Sequence, residues 1–86
     1  MTEALGVVAI GTGAALGLLT YFVLWKRVPA IVGVSAAVVA GATTGAGALL
    51  VQEAATAADW IYTLSVLGAL TPVHAKLLLG APGKAT

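Results

Sequence analysis

The sequence predicts an all-α fold: a hydrophobic two-helix hairpin followed by a third, proline-interrupted helix, in a membrane or a membrane-derived assembly. Hydrophobic residues make up 60% of the 86 residues and charged residues only 8%, whereas a typical soluble domain has about 25% charged residues. There is no cysteine to cross-link a small soluble core. The net charge of +1 excludes a strongly basic nucleic-acid-binding domain.

The first two helices follow from the positions of the charges. One neutral stretch of 22 residues ends at Trp25, and a second of 25 residues ends at Gln52. Twenty-two helical residues span roughly 33 Å, which matches a hydrocarbon core of about 30 Å. Neither stretch alternates in polarity as a barrel strand would. We therefore predict helices over 4–25 and 29–52, joined by a basic loop at 26–28.

A third helix is predicted over 59–79. Thr56 and Asp59 have the spacing of a capping box, which marks a helix start. Pro72 removes a backbone donor inside the apolar run that follows. Two interpretations stay open, a kinked membrane helix and a shorter helix lying along an interface. Residues 80–86, rich in glycine and proline at their start, are predicted to form a tail.

The charge pair Lys26 and Arg27 sets a topology. Positive residues favour the cytoplasmic side, so this loop is expected inside and the N-terminus outside. The simplest role for the pair is contact with lipid headgroups. In an assembly of many copies, the same pair would instead form a positively charged row along a surface or lumen, with salt-sensitive attraction for nucleic acid.

Small residues recur every four positions along one face of each of the first two helices. Such faces allow helix backbones to approach closely in lipid. They are expected to pack the two helices on each other, and docking of a second copy on one of them is the alternative. The predicted packing residues are Gly13, Gly17, Gly33, Ala37, Gly41 and Gly45.

No catalytic, cofactor-binding or metal-ligating set is apparent. The glycines from Gly11 to Gly17 resemble a dinucleotide-binding turn, but no acidic residue follows at the spacing that a ribose requires. The second helix lacks the mid-membrane carboxylate of a proton-carrying ring subunit of rotary ATP synthases. His74 is the only histidine and is interpreted as a residue of the membrane boundary. We expect a non-enzyme without a small-molecule substrate.

The stretch from Gly6 through Trp25-Lys26-Arg27, followed by Val28-Pro29-Ala30-Ile31-Val32-Gly33, resembles the pilins of conjugation-type (type IV secretion-like) systems, including the small pilins of archaeal DNA-transfer systems. The resemblance implies a structural subunit of a homopolymeric, lipid-associated helical filament, found in the cell membrane and outside the cell. It implies that Lys26 and Arg27 face the lumen. The implied partners are other copies of the chain, lipid and single-stranded DNA passing through the lumen, with bound phospholipid as the one non-protein component.

Two other functions remain as alternatives. Small size, up to three helices, an acidic N-terminus outside and a basic C-terminal tail inside also fit a phage holin-like protein that forms membrane lesions. An accessory transmembrane subunit of a larger respiratory or transport complex is the third hypothesis, in which the helices fill a groove between larger partners.

Overall fold

Residues 2–52 and 55–83 are described by the computed structural model, and within them the chain forms three helical rods and no strand. The predicted all-α class is confirmed. All three rods are long and apolar enough to cross a membrane. The first rod consists of α1 (Thr2–Leu19), a π-helical segment (Thr20–Leu24) and α2 (Trp25–Arg27); the second is α3 (Ala30–Gln52) and the third is α4 (Ala57–Leu79).

The central rod is α3, with α1 packed along one side of it and α4 along another. Consecutive rods run antiparallel in a body 46 Å long. The end of α2, the start of α3 and the end of α4 therefore meet at one end, which carries Lys26, Arg27 and Lys76 and which we call the basic end. Glu3 and Asp59 lie at the opposite end. The charges of the described residues are thus separated along the long axis of the molecule.

The π-helical segment begins at Thr20, which is fully buried. The Thr20 hydroxyl donates to the Leu16 carbonyl oxygen at 2.7 Å and shares that oxygen with the helix backbone. Threonine bonds of this kind bend helices. The backbone N–H of Trp25 then donates to the Thr20 carbonyl, one residue beyond the α-helical partner. The wider turn changes the direction in which the residues after it project.

The connection between the first two rods is shorter than predicted. Helical geometry continues through Arg27, so the predicted loop at 26–28 is wrong for its first two residues. Val28 is extended, with φ −111° and ψ 164°, because the residue before a proline avoids the helical region. Pro29 then starts α3 by accepting hydrogen bonds from Val32 and Gly33.

The third rod is a single helix of 23 residues, which favours the membrane-length interpretation over the short interfacial one. It starts two residues earlier than predicted, at Ala57, because the capping box is complete. Asp59 N–H donates to the Thr56 hydroxyl at 3.2 Å, and Thr56 N–H donates to the Asp59 carboxylate at 3.0 Å. Pro72 lies within this helix and does not end it.

The first four residues of the predicted tail at 80–86 pack against the basic end. Residues 80–83 turn back over the connection between the first two rods, and the rest of the tail lies outside the described residues. Gly83 N–H donates to the Trp25 carbonyl oxygen at 2.9 Å. That oxygen would otherwise bond the N–H of residue 29, which is a proline and has none.

Candidate functional site

The contact between α1 and α3, which we call the seam, brings backbone against backbone. Gly6, Gly13 and Gly47 are all buried there. A Cβ atom on Gly47 would lie 2.6 Å from the Gly6 carbonyl oxygen, and one on Gly13 would lie 2.7 Å from the Thr44 nitrogen. No side chain fits at those distances. The seam therefore depends on glycine at these three positions.

Two of the predicted packing glycines face the third rod instead of the first. A Cβ on Gly41 would overlap the Leu67 carbonyl group, and one on Gly45 would lie 2.8 Å from the Leu67 Cδ1 atom. The predicted pairing of these glycines with α1 is therefore wrong, although the first two helices do pack on each other. Other small residues of α3, Ala40 and Gly47, take that role in the seam.

The predicted residues nearest the basic end pack around Trp25. Trp25 is 1% exposed and forms a buried cluster with Ala37 and Ala75. A Cβ on Gly33 would lie 3.4 Å from the Trp25 carbonyl oxygen. The indole N–H of Trp25 donates to the Gly80 carbonyl oxygen at 2.9 Å. This tryptophan therefore ties the first rod to both other rods.

An open groove of about 530 Å³ separates the first rod from α4, with α3 as its floor. Gly17 lies at its edge, where a Cβ would meet only the Ala40 Cβ atom, at 3.9 Å. The threonine hydroxyls beside the groove are bound to their own helices, Thr44 to the Ala40 carbonyl and Thr71 to the Leu67 carbonyl. The groove wall is consequently apolar along most of its length.

A polar pair bridges the groove toward the basic end. The Tyr21 hydroxyl lies 2.9 Å from His74 Nδ1 and 3.3 Å from the Thr71 carbonyl oxygen. Tyr21 comes from the π-helical segment of the first rod and the other two from α4. The pair thus joins the first rod to α4 across the groove.

The predicted headgroup- or lumen-facing residues, Lys26 and Arg27, are exposed at the basic end. Both line a second pocket of about 250 Å³, which we call the basic pocket. Tyr21 and Phe22 line this pocket and the groove alike. The groove and the basic pocket therefore lie side by side and share two aromatic side chains.

Sequence reasoning missed the polar pair and the groove. Tyr21 lies inside a neutral stretch of membrane-spanning length, where only its hydroxyl distinguished it from its apolar neighbours. No group of three histidine, cysteine, aspartate or glutamate side chains comes together in the parts of the chain that the structure describes.

The chain was compared with protein-family models, with curated proteins and with solved structures, and none of these matches it.

Proposed function

We propose that this protein is a membrane-embedded structural subunit that assembles with copies of itself into a lipid-associated filament of the conjugation-pilus type. One observation supports this above the others: the three rods leave most of their apolar surface uncovered. Only 11% of the most apolar 18-residue window is buried in the first and third rods, and 33% in α3. Apolar area on this scale requires lipid or other protein around it.

The internal contacts support assembly for a second reason. The rods pack through glycine and alanine, so the large apolar side chains are left on the outside. Leu5, Val8 and Phe22 of the first rod and Leu77 of α4 are each more than half exposed. In lipid, association of such surfaces is driven by packing, since acyl chains are as apolar as the side chains.

The basic end gives the assembly its charge. Every copy presents Lys26 and Arg27 at the same level, so a helical array of copies places a positive band along one of its walls. In a hollow filament with this band on the inside, the wall attracts single-stranded DNA through its phosphates. That attraction falls as salt concentration rises.

Electron microscopy tests the proposal. Cells that produce the chain should carry thin filaments, and an epitope tag on the chain should label them along their length. The double variant Lys26→Gln/Arg27→Gln should still form filaments but should transfer DNA less efficiently than wild type. If the chain occurs only as a monomer in the inner membrane, the filament is excluded.

The membrane-length third rod favours a second candidate, a holin-like protein that opens lesions in the membrane. A hairpin pilin consists of two helices and does not include a third span. Three spans place the acidic and basic ends of the molecule on opposite sides of the membrane. Induced expression should then collapse the membrane potential abruptly. An intact potential together with labelled filaments would exclude this candidate.

A further inference from the structure

We infer that His74 is the axial ligand of a haem held in the groove between the first rod and α4. The site lies within one copy of the chain, so it requires a membrane or a detergent micelle around the rods but no polymerisation. Its support comes from the hydrogen bonds of the His74 ring, from the metal ligands that the chain can bring together, and from the dimensions of the groove.

The hydrogen bonds around Tyr21 fix the proton on the His74 ring. The Tyr21 hydroxyl lies 3.3 Å from the Thr71 carbonyl oxygen and 2.9 Å from His74 Nδ1. A hydroxyl has one proton to donate, and a carbonyl oxygen only accepts. Both contacts are therefore satisfied at once when Tyr21 donates to Thr71 and His74 Nδ1–H donates to the tyrosine oxygen. A neutral imidazole with its proton on Nδ1 carries a lone pair on Nε2.

This arrangement is typical of metal-ligating histidines. Such a histidine donates from one ring nitrogen to a fixed acceptor, which orients the ring and makes the other nitrogen a stronger ligand. The His74 side chain is exposed, so a ligand can approach it. A quinone, or the ester group of a lipid, would instead need a donor at Nε2, which this tautomer does not supply.

The scarcity of other metal ligands selects a haem over a bare metal ion. Among residues 2–52 and 55–83, no group of three histidine, cysteine, aspartate or glutamate side chains comes together. A bare ion at His74 would therefore lack the further protein ligands that it needs. The porphyrin ring supplies the equatorial nitrogen ligands of its own iron, so a single histidine is enough to hold it.

The groove has the size and polarity for a porphyrin. Its volume of about 530 Å³ lies within the range of roughly 300–1,000 Å³ for pockets that hold small organic ligands. Its walls run from Gly13 to Tyr21 on the first rod and from Leu67 to His74 on α4, or about 12 Å and about 10 Å of helix. These similar lengths suit a flat ring, and Gly17 leaves space for the ring to approach.

The tautomer is measured on the chain alone, because His74 is the only histidine. Nuclear magnetic resonance of protein labelled with ¹⁵N-histidine, in detergent at about pH 8, where an ordinary histidine is neutral, should show the proton on Nδ1. Tyr21→Phe should lose this preference, since the phenyl ring offers no acceptor. A wild-type ring protonated at Nε2 would overturn the proposal.

Titration of the full chain with haemin in detergent, followed by absorption spectroscopy, tests binding. Wild type should saturate at one haem per chain, with a Soret band displaced from that of haemin in the same micelles without protein. His74→Ala should abolish the displacement, and added imidazole should restore it by taking the place of the missing ring. Equal spectra for wild type and His74→Ala would mean that haemin only partitions into the micelle, and the site would be refuted.

Two matched pairs of variants locate the haem. Tyr21→Phe should weaken haemin binding by about 10- to 100-fold, as loss of a hydrogen-bond partner of a ligating histidine does. Tyr62→Phe should leave binding unchanged, because Tyr62 is 71% exposed and lies outside the groove lining.

The second pair tests the groove itself. Gly17→Leu, which fills the groove, should abolish the Soret displacement. Gly11→Leu should bind haemin as wild type does, because a side chain there meets no atom within 4 Å. Circular dichroism should show equal helix content in both leucine variants. Equal losses within either pair would overturn the groove as the site, whereas haemin binding by a chain that forms no filaments would refute the filament alone.

Discussion

Gly13 and Gly17 lie one helical turn apart on α1 and both line the groove, yet only Gly13 is also buried in the seam. Gly13 is closed into the seam, where an added Cβ would meet the backbone of α3. Gly17 borders the groove, where the same atom would make one ordinary contact at 3.9 Å. The seam and the groove are built from the same residue type, but one needs its glycines for close approach and the other keeps a space open.

The largest effect is expected in the seam, at Gly47. In Gly47→Ala the new methyl group would lie 2.6 Å from the Gly6 carbonyl oxygen and 2.7 Å from the Ile10 nitrogen. Both are backbone atoms that move only with their helix, so the two rods must separate. We expect a loss of about 1–3 kcal/mol in the free energy of unfolding, as for other overpacked sites.

Loss of helical circular dichroism on heating in detergent measures this change. Gly11→Ala is the control on the exposed side of α1, where an added Cβ meets nothing within 4 Å, and it should melt at or slightly above the temperature of wild type. A Gly47→Ala protein as stable as this control would mean that the seam does not hold α1 against α3.

An intermediate effect is expected at the basic end, where hydrogen bonds from Trp25 and Gly83 join the first rod to the end of α4 and the turn after it. Trp25→Phe keeps an aromatic ring in the cluster but removes the donor to the Gly80 carbonyl oxygen. The loss of such a bond typically costs about 1 kcal/mol. Unfolding in detergent should show this decrease, with faster hydrogen exchange at Gly83.

Trp60→Phe makes the same change at the opposite end, where the indole forms no hydrogen bond within the described residues. It should leave the unfolding free energy near that of wild type. Equal destabilisation by the two variants would show that ring volume, rather than the bond to Gly80, accounts for the loss.

The smallest effect is expected at the edge of the groove. Gly17→Ala adds a methyl group that is tolerated sterically, and alanine is favoured over glycine inside a helix by up to about 1 kcal/mol in water. The protein should be as stable as wild type or slightly more stable. Gly13→Ala, one turn away, should be clearly less stable, and similar melting temperatures for the two would remove the distinction between seam and groove.

Features determined by neighbouring residues were predictable from the sequence. The first two helices follow from neutral stretches that match the membrane thickness. The start of α4 follows from Thr56 and Asp59, which need only each other to form a capping box. The predicted loop at 26–28 and the observed connection differ for a local reason too. Pro29 fixes Val28 in an extended conformation but leaves Lys26 and Arg27 helical.

Features determined by contacts between rods were not predictable. The four-residue spacing correctly places Gly41 and Gly45 on one face of α3, but a spacing within one helix does not identify the helix that packs against it. The π-helical segment begins at Thr20, whose hydroxyl bonds the Leu16 carbonyl oxygen, but Thr44 and Thr71 make the same bond inside regular α-helix, so the bond alone does not predict the segment. The groove arises only because α1 and α4 pack on separate sides of α3. The sequence pattern does not predict which sides of α3 the two helices occupy.

The bond from Gly83 to the Trp25 carbonyl has a consequence for biosynthesis. The turn between the first two rods leaves the ribosome early, and it carries a carbonyl group that its own proline leaves without a donor. The missing donor, the Gly83 N–H, is made only after translation has passed the third rod. The hairpin formed by the first two rods therefore completes its hydrogen bonds only after the C-terminal turn has been synthesised.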